Sequence, residues 1–305
     1  MVYLALGGAL LLCVLARRAA RQLSPASAAV TLVVAAVLSA AAWGWNLTLL
    51  AGTLVGRLGY VAELGHWSGP ALAVHDPVPV ASAAVAGLLA AAAAAGLAWC
   101  CQRVVAELWQ IWLAARTCPV TTADGVVVVE DAALRAVAVP GLRGRVVLTT
   151  GMVKALDARE RRVLLAHERA HLRYRHGELR LLVRLAAGVL PILRPLVRDC
   201  DYQLERWADE TAARAVGDRG LAAQALARAA LAGRSRRRSA APPALGFLEH
   251  SVTSRVASLL ADPPPRRWQR LSGPLAVLAA TAVFSVEASR DLEALFELAK
   301  HVWAA

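Results

Sequence analysis

What constrains this chain most is where its charges are missing. Between residues 1 and 102 the only charged side chains are Arg17, Arg18, Arg21, Arg57, Glu63 and Asp76. They leave three uncharged stretches, 1–16, 26–56 and 77–102. A membrane-spanning helix needs about 20 apolar residues, a limit that packing and flanking residues relax. From 103 to 270 charged residues are frequent, and 271–286 is a shorter fourth apolar stretch. A hydrophobic fraction of 58% and a mean hydropathy of +0.49 are too apolar for an ordinary soluble enzyme. The expected fold is a mainly α membrane protein. It has about four transmembrane helices, with a water-facing α+β domain inserted between the third and fourth.

Basic residues flanking the spans set an orientation. Arg17, Arg18 and Arg21 follow the first apolar run rather than precede it, which is the order of a retained anchor and not of a cleaved leader. They mark the cytoplasmic side, as do Arg266, Arg267 and Arg270 before the fourth stretch. The expected division is therefore a three-helix membrane region at 1–102, a cytoplasmic domain at 103–270, a fourth span at 271–288 and a short extracytoplasmic tail at 289–305. Residues 181–197 are apolar but interrupted by Arg184, Arg194, Pro191 and Pro195. They read as a buried or interface-lying helix of the cytoplasmic domain, with deeper insertion as the alternative.

The formal net charge of +12 does not argue for nucleic acid. Lys154 and Lys300 are the only lysines, so the excess is arginine beside spans and in the run Arg234, Arg236, Arg237 and Arg238. That run, with Ser235 and Ser239, reads as a solvated loop, with lipid headgroup contact as the alternative. No direct nucleic-acid binding is expected. Cys13, Cys100, Cys101, Cys118 and Cys200 include no C-x-x-C pair and read as buried free thiols.

Residues 103–117 fit an amphipathic helix leaving the third span. Short β-type runs follow at 125–130, 133–139 and 145–149, punctuated by Gly141 and Gly144, so a small sheet is expected. Asp157 with Glu160 has the spacing of a capping box, and Gly177 reads as the stop of the helix they open. That helix carries His167, Glu168 and His171. Histidines four apart share one helix face and can present both imidazoles to one metal ion. Neutral imidazoles leave zinc its Lewis acidity, and a water in the open position becomes acidic enough to attack a carbonyl. Glu168 is the candidate base that takes up the proton, and so is not itself a ligand. Glu205, on a following segment of helical composition, is the candidate third ligand. Asp209, one turn later, is placed to orient a ligand histidine. His176, five residues after His171, is expected to point away from the metal, in a structural or surface role. An edge strand near 136–139 would offer its backbone to an extended substrate.

The run Arg145-Val146-Val147-Leu148-Thr149-Thr150-Gly151, the His167–His171 motif and the Glu205-x-x-Ala208-Asp209 element together resemble the membrane gluzincins. These include HtpX-type and CAAX-prenyl proteases and the BlaR/MecR-type antirepressor peptidases. Ser254-Arg255-Val256 resembles a later segment of the same pattern. Three spans before the domain and one after it are closest to the BlaR/MecR plan. The resemblance implies one zinc ion per chain, a multi-pass protein of a bacterial plasma membrane, and a protein substrate with a DNA-binding transcriptional repressor among the candidates. The tail after the fourth span leaves no room for a penicillin-binding sensor and has no S-x-x-K motif, so β-lactam sensing is not expected. Two other readings stay open, an HtpX-like quality-control protease and a zinc-binding regulator that no longer cleaves.

Overall fold

The computed structural model describes residues 1–117, 125–139, 144–237, 245–262 and 268–304. Its first helices are α1 (Val2–Ala20) and α2 (Pro25–Val55). Ser24 opens α2, accepting the Ser27 N–H, with Pro25 at the first helical position where no N–H is required. Two short helices, α3 (Gly59–Gly65) and α4 (Gly69–His75), follow α2. The third apolar stretch and the amphipathic segment after it form one continuous helix, α5 (Val80–Thr117). The last helix, α12 (Ser272–Ala304), has 33 residues, so the expected short tail is helical as well. Phe296 packs edge-on against Trp67 at 4.8 Å, and the Ser68 N–H donates to the Ala299 carbonyl. Four helices among the described residues are thus long and apolar enough to cross a membrane.

These helices meet through small and hydroxyl-bearing residues. A Cβ on Gly8 would meet the Thr281 hydroxyl at 2.4 Å, so α1 and α12 touch nearly backbone to backbone there. Asn46, fully buried on α2, donates to Ser285 at 2.9 Å, and Trp45 donates to Ser289 at 3.0 Å.

Between α5 and α12 a three-stranded sheet forms from β1 (Val126–Val129), β2 (Ala136–Val139) and β3 (Arg145–Thr149), in the order β1-β3-β2. β1 runs parallel to β3 and β2 antiparallel to it, with Val127 and Val137 both opposite Val147. Thr149 ends β3 and caps α6 (Thr150–Ala155). The capping box at Asp157 and Glu160 is formed and opens α7 (Ala158–Arg173). Glu160 is fully buried and takes an ion pair from Arg228 at 2.8 Å, which ties α7 to α10 (Arg219–Arg237). Gly177 does not stop α7. Tyr174 does, and Arg175 turns the chain in the left-handed region at φ 54° before α8 (His176–Val189) begins.

A single 3-10 turn, Pro191–Leu193, separates α8 from α9 (Arg194–Val216). Val183, Ala186, Leu190, Leu193, Leu196 and Leu204 form one core with Ala28, Ala29, Leu32, Val33 and Ala36 of α2. The charged domain is therefore packed onto the apolar bundle. A smaller core joins Val163 of α7, Ala212 and Ala213 of α9, and Ala222, Ala223 and Ala225 of α10 to Leu259 of α11 (Leu245–Leu260).

Several sequence expectations fall elsewhere. Arg234, Arg236 and Arg237 continue α10 rather than form a loop. Cys118, Gly141, Arg238, Ser239, Arg266 and Arg267 lie outside the described residues. Cys13 and Cys200 are buried as expected of structural thiols, but Cys101 is exposed at the surface of α5.

Candidate metal centre

One face of α7 and one face of α9 supply the site. His167 and His171, one turn apart on α7, bring their Nε2 atoms to 3.1 Å. Glu205 of α9 lies opposite, Oε2 at 3.5 Å from His167 Nε2 and Oε1 at 3.7 Å from His171 Nε2. These three are the group among the described residues whose ligand atoms could hold one metal ion. The spacing tests the fit. In a tetrahedral zinc site with bonds of 2.0–2.1 Å, neighbouring donors sit about 3.3–3.4 Å apart. The observed separations bracket that value, and two nitrogens with one carboxylate oxygen are a zinc-type donor set with a fourth position left open.

Each histidine is held from behind. His167 Nδ1 lies 3.0 Å from Asp209 Oδ1, so Asp209 takes the Nδ1–H and leaves Nε2 free to bind a metal. Burial would lower the His167 pKa, but Asp209 and Glu205 outweigh it and raise it to about 9. His171 is pushed the other way, down to about 3, first by burial and then by the neighbouring histidines. Its Nδ1 meets Nδ1 of His176 at 2.9 Å. As expected, His176 is not among the possible ligands, but it is neither at the surface nor turned away from His171. It is fully buried and lies between the rings of Tyr174 and Trp207. With Nε2 of His171 facing the metal position, His171 carries its proton on Nδ1 and donates it to His176. His176 must then hold its own proton on Nε2, which is buried without a hydrogen-bond partner.

Two arginines that sequence reasoning did not place complete the centre. Arg255 of α11 donates to both oxygens of Asp209 at 2.7 Å and reaches Glu205 at 3.3 Å. Arg180 of α8 pairs with Asp201 at 2.7 Å and with Glu205 at 3.2 Å. Despite burial, the hydrogen bond with His167, helped by the charges of Arg255, His167 and His171, holds the Glu205 carboxyl far below its ordinary value. The resemblance of Ser254-Arg255-Val256 to a family segment marks Arg255 in the sequence without giving it a role. Nothing local marks Arg180. Arg206 lies over the Tyr202 ring at 6.0 Å.

Glu168 is half-buried beside this cluster and faces the Ala138 backbone of β2. Burial raises its pKa, opposed by the charge of His167. β2 is an edge of the sheet among the described residues, pairing with β3 alone. A cavity of about 170 Å³ opens alongside, lined by Glu168, Glu205 and Arg255 and floored by Ala212, Ala222 and Ala225.

Two histidines one helical turn apart and a glutamate from a later helix form a candidate metal centre, with a further carboxylate, Glu168, beside it. The chain belongs to peptidase family M48, whose profile matches residues 101–275. That match spans the sheet, the whole candidate centre and the first residues of α12. Neither curated proteins nor solved structures give a match.

Proposed function

We propose that this chain is a membrane-anchored zinc endopeptidase that cleaves a cytoplasmic or membrane-proximal protein. The observation that carries the reading is the position of Glu168, between the His167/His171/Glu205 cluster and the β2 edge. His167, His171 and Glu205 would hold the ion. Zinc bound there supplies a Lewis acid and lowers the pKa of a water to about 7. The chain's own residues do the rest. β2, an edge of the sheet among the described residues, can align an extended substrate. Glu168 takes the proton of the attacking water and passes it to the departing amine. Its raised pKa brings the base closer to neutral pH, which suits both transfers. The alanine-floored cavity fits a small apolar side chain beside the scissile bond. Asp209 and His176 keep both ligand imidazoles in the tautomer that binds metal.

The order of three apolar helices, then the peptidase domain, then a fourth apolar helix supports a BlaR/MecR-type role with the domain in the cytoplasm and a transcriptional repressor as substrate. The packing of α8 and α9 onto α2 favours a second reading, quality control of membrane proteins, because it holds the site against the bundle. Purified chain in vesicles, compared with Glu168→Gln at equal zinc content, tests the chemistry. Proteolysis should fall about 10²–10⁴-fold in the variant while zinc is retained. Equal activity in both would refute the mechanism, and no activity in either would favour a non-catalytic regulator. Cleavage of one repressor supports signalling, whereas cleavage of many unfolded proteins supports quality control.

A further inference from the structure

The segment 181–197 lies inside the peptidase domain by sequence, yet it packs on the apolar helices, and two independent rulers give its depth. The first is α5. The Cys100 thiol lies against the Arg184 carbonyl, and a Cβ on Gly96 would meet the Gly188 carbonyl at 2.3 Å. The pairs step by four residues in opposite directions, so α8 runs antiparallel along α5 rather than across it. Gly96 precedes Gln102, the last residue of the uncharged stretch, by about 9 Å of helix. The second ruler is α1. Arg17, in the basic border of α1, pairs with Asp199 of α9 at 2.6 Å. From Asp199 back to the turn at Pro191–Leu193 is again about 10 Å.

We propose that the α8–α9 hairpin is a re-entrant membrane element. It enters the bilayer from the side marked by Arg17, Arg18 and Arg21, and its turn contacts the acyl chains of that leaflet. Its chemistry suits that place. Irregular backbone is tolerated at membrane depth only where its polar groups are satisfied or covered by protein. Here Pro191 and Pro195 have no N–H to satisfy, while Leu190 and Leu193 donate to Ala186 and Leu190. Leu190 and Leu193 are also buried against the bundle. The outward side chains are Leu182 and Ile192, the latter 62% exposed. Arg184 lies 4.0 Å from Glu107, toward the charged end of α5. Arg194, exposed on the first turn of α9, is within reach of the headgroups by extending its stem along the hairpin. The inference rests on the apolar helices crossing a bilayer and not on the peptidase reading.

The test is nitroxide accessibility in the full chain with its cysteines replaced by serine or alanine, in phosphatidylethanolamine–phosphatidylglycerol vesicles. Single labels go at Ile192, at Leu88 on the exposed face of α5, and at Arg214 near the far end of α9. The ratio of oxygen to aqueous nickel-chelate accessibility at Ile192 should match Leu88 and exceed Arg214 several-fold. A ratio matching Arg214 overturns the proposal, and an aqueous ratio at Leu88 overturns it together with the membrane reading. Because the cysteine-free chain has to fold, benzoylphenylalanine at Ile192 in the otherwise native chain asks the same question. Photo-adducts with lipid support re-entry, and adducts at Leu88 but not at Ile192 refute it.

Discussion

Arg255 brings one cation to two buried carboxylates, and its loss should be felt most when no metal is present. Arg255→Met leaves Asp209 and Glu205 without that charge, which for a broken buried pair costs about 3–5 kcal/mol. Zinc would restore positive charge at Glu205, so the deficit in thermal stability should narrow on zinc loading. An equal deficit with and without zinc would refute this account. His167 gives the pH dependence. Its folded pKa of about 9 lies above the ordinary 6.5. In the metal-free chain its stabilising contribution is therefore complete below pH 6.5 and lost as pH rises through 9. Zinc needs the neutral ring, so metal uptake near pH 7 should release a proton. The rise in melting temperature on adding zinc should grow between pH 7 and 9; a constant increment would contradict it. At this scale much of the cluster is legible in the sequence, because helical periodicity alone puts His167 with His171 and Glu205 with Asp209. Arg180 and Arg255 are not legible, since each meets a partner more than a helix away in the chain. His176 misleads for a local reason. On an unbroken helix it would point about 140° from His171, but the left-handed Arg175 breaks the helix and swings it back.

At the scale of elements, the close approach of α8 to α5 depends on two glycines, Gly96 and Gly188. Gly96→Leu drives a side chain into the Gly188 carbonyl and should cost roughly 1–3 kcal/mol as overpacking. The lower melting temperature should come with weaker zinc retention, because α8 carries His176 and Arg180. Unchanged zinc affinity would uncouple this contact from the centre. Gly177 has open space where a Cβ would go and sits in the first turn of α8, so Gly177→Ala should stabilise by about 0.4–1 kcal/mol with activity kept. Thermal melts of the two variants should move in opposite directions. The positions of the apolar helices and strands follow from where charges and glycines fall. Element ends read less well. The amphipathic pattern at 103–117 hides that α5 never breaks, and the acidic residues after 286 disguise helix as tail.

For the whole molecule, the charge distribution implies two separable parts, yet the fold interlocks them. Leu193, Leu196 and Leu204 are buried against α2. A fragment of residues 103–270 would expose that face, an apolar patch that soluble monomers rarely carry. It should therefore elute as a monodisperse species only with detergent or lipid. A monomer in plain buffer would show that the domain stands alone. This interlock escapes sequence reading because 181–197 has the composition of any buried amphipathic segment. Only its neighbours show that it shares the core of the apolar helices.

The donor set is divided between two packed helices, with His167 and His171 on α7 and Glu205 on α9, which also rests on the apolar helices. Zinc sites tolerate departures of about 0.2 Å in ligand distance, whereas a slip of one residue along a helix axis is about 1.5 Å. The centre is in effect a vernier between α7 and α9. A shift of α9 against α7 by a fraction of a residue would therefore be enough to change the spacing of the three donors.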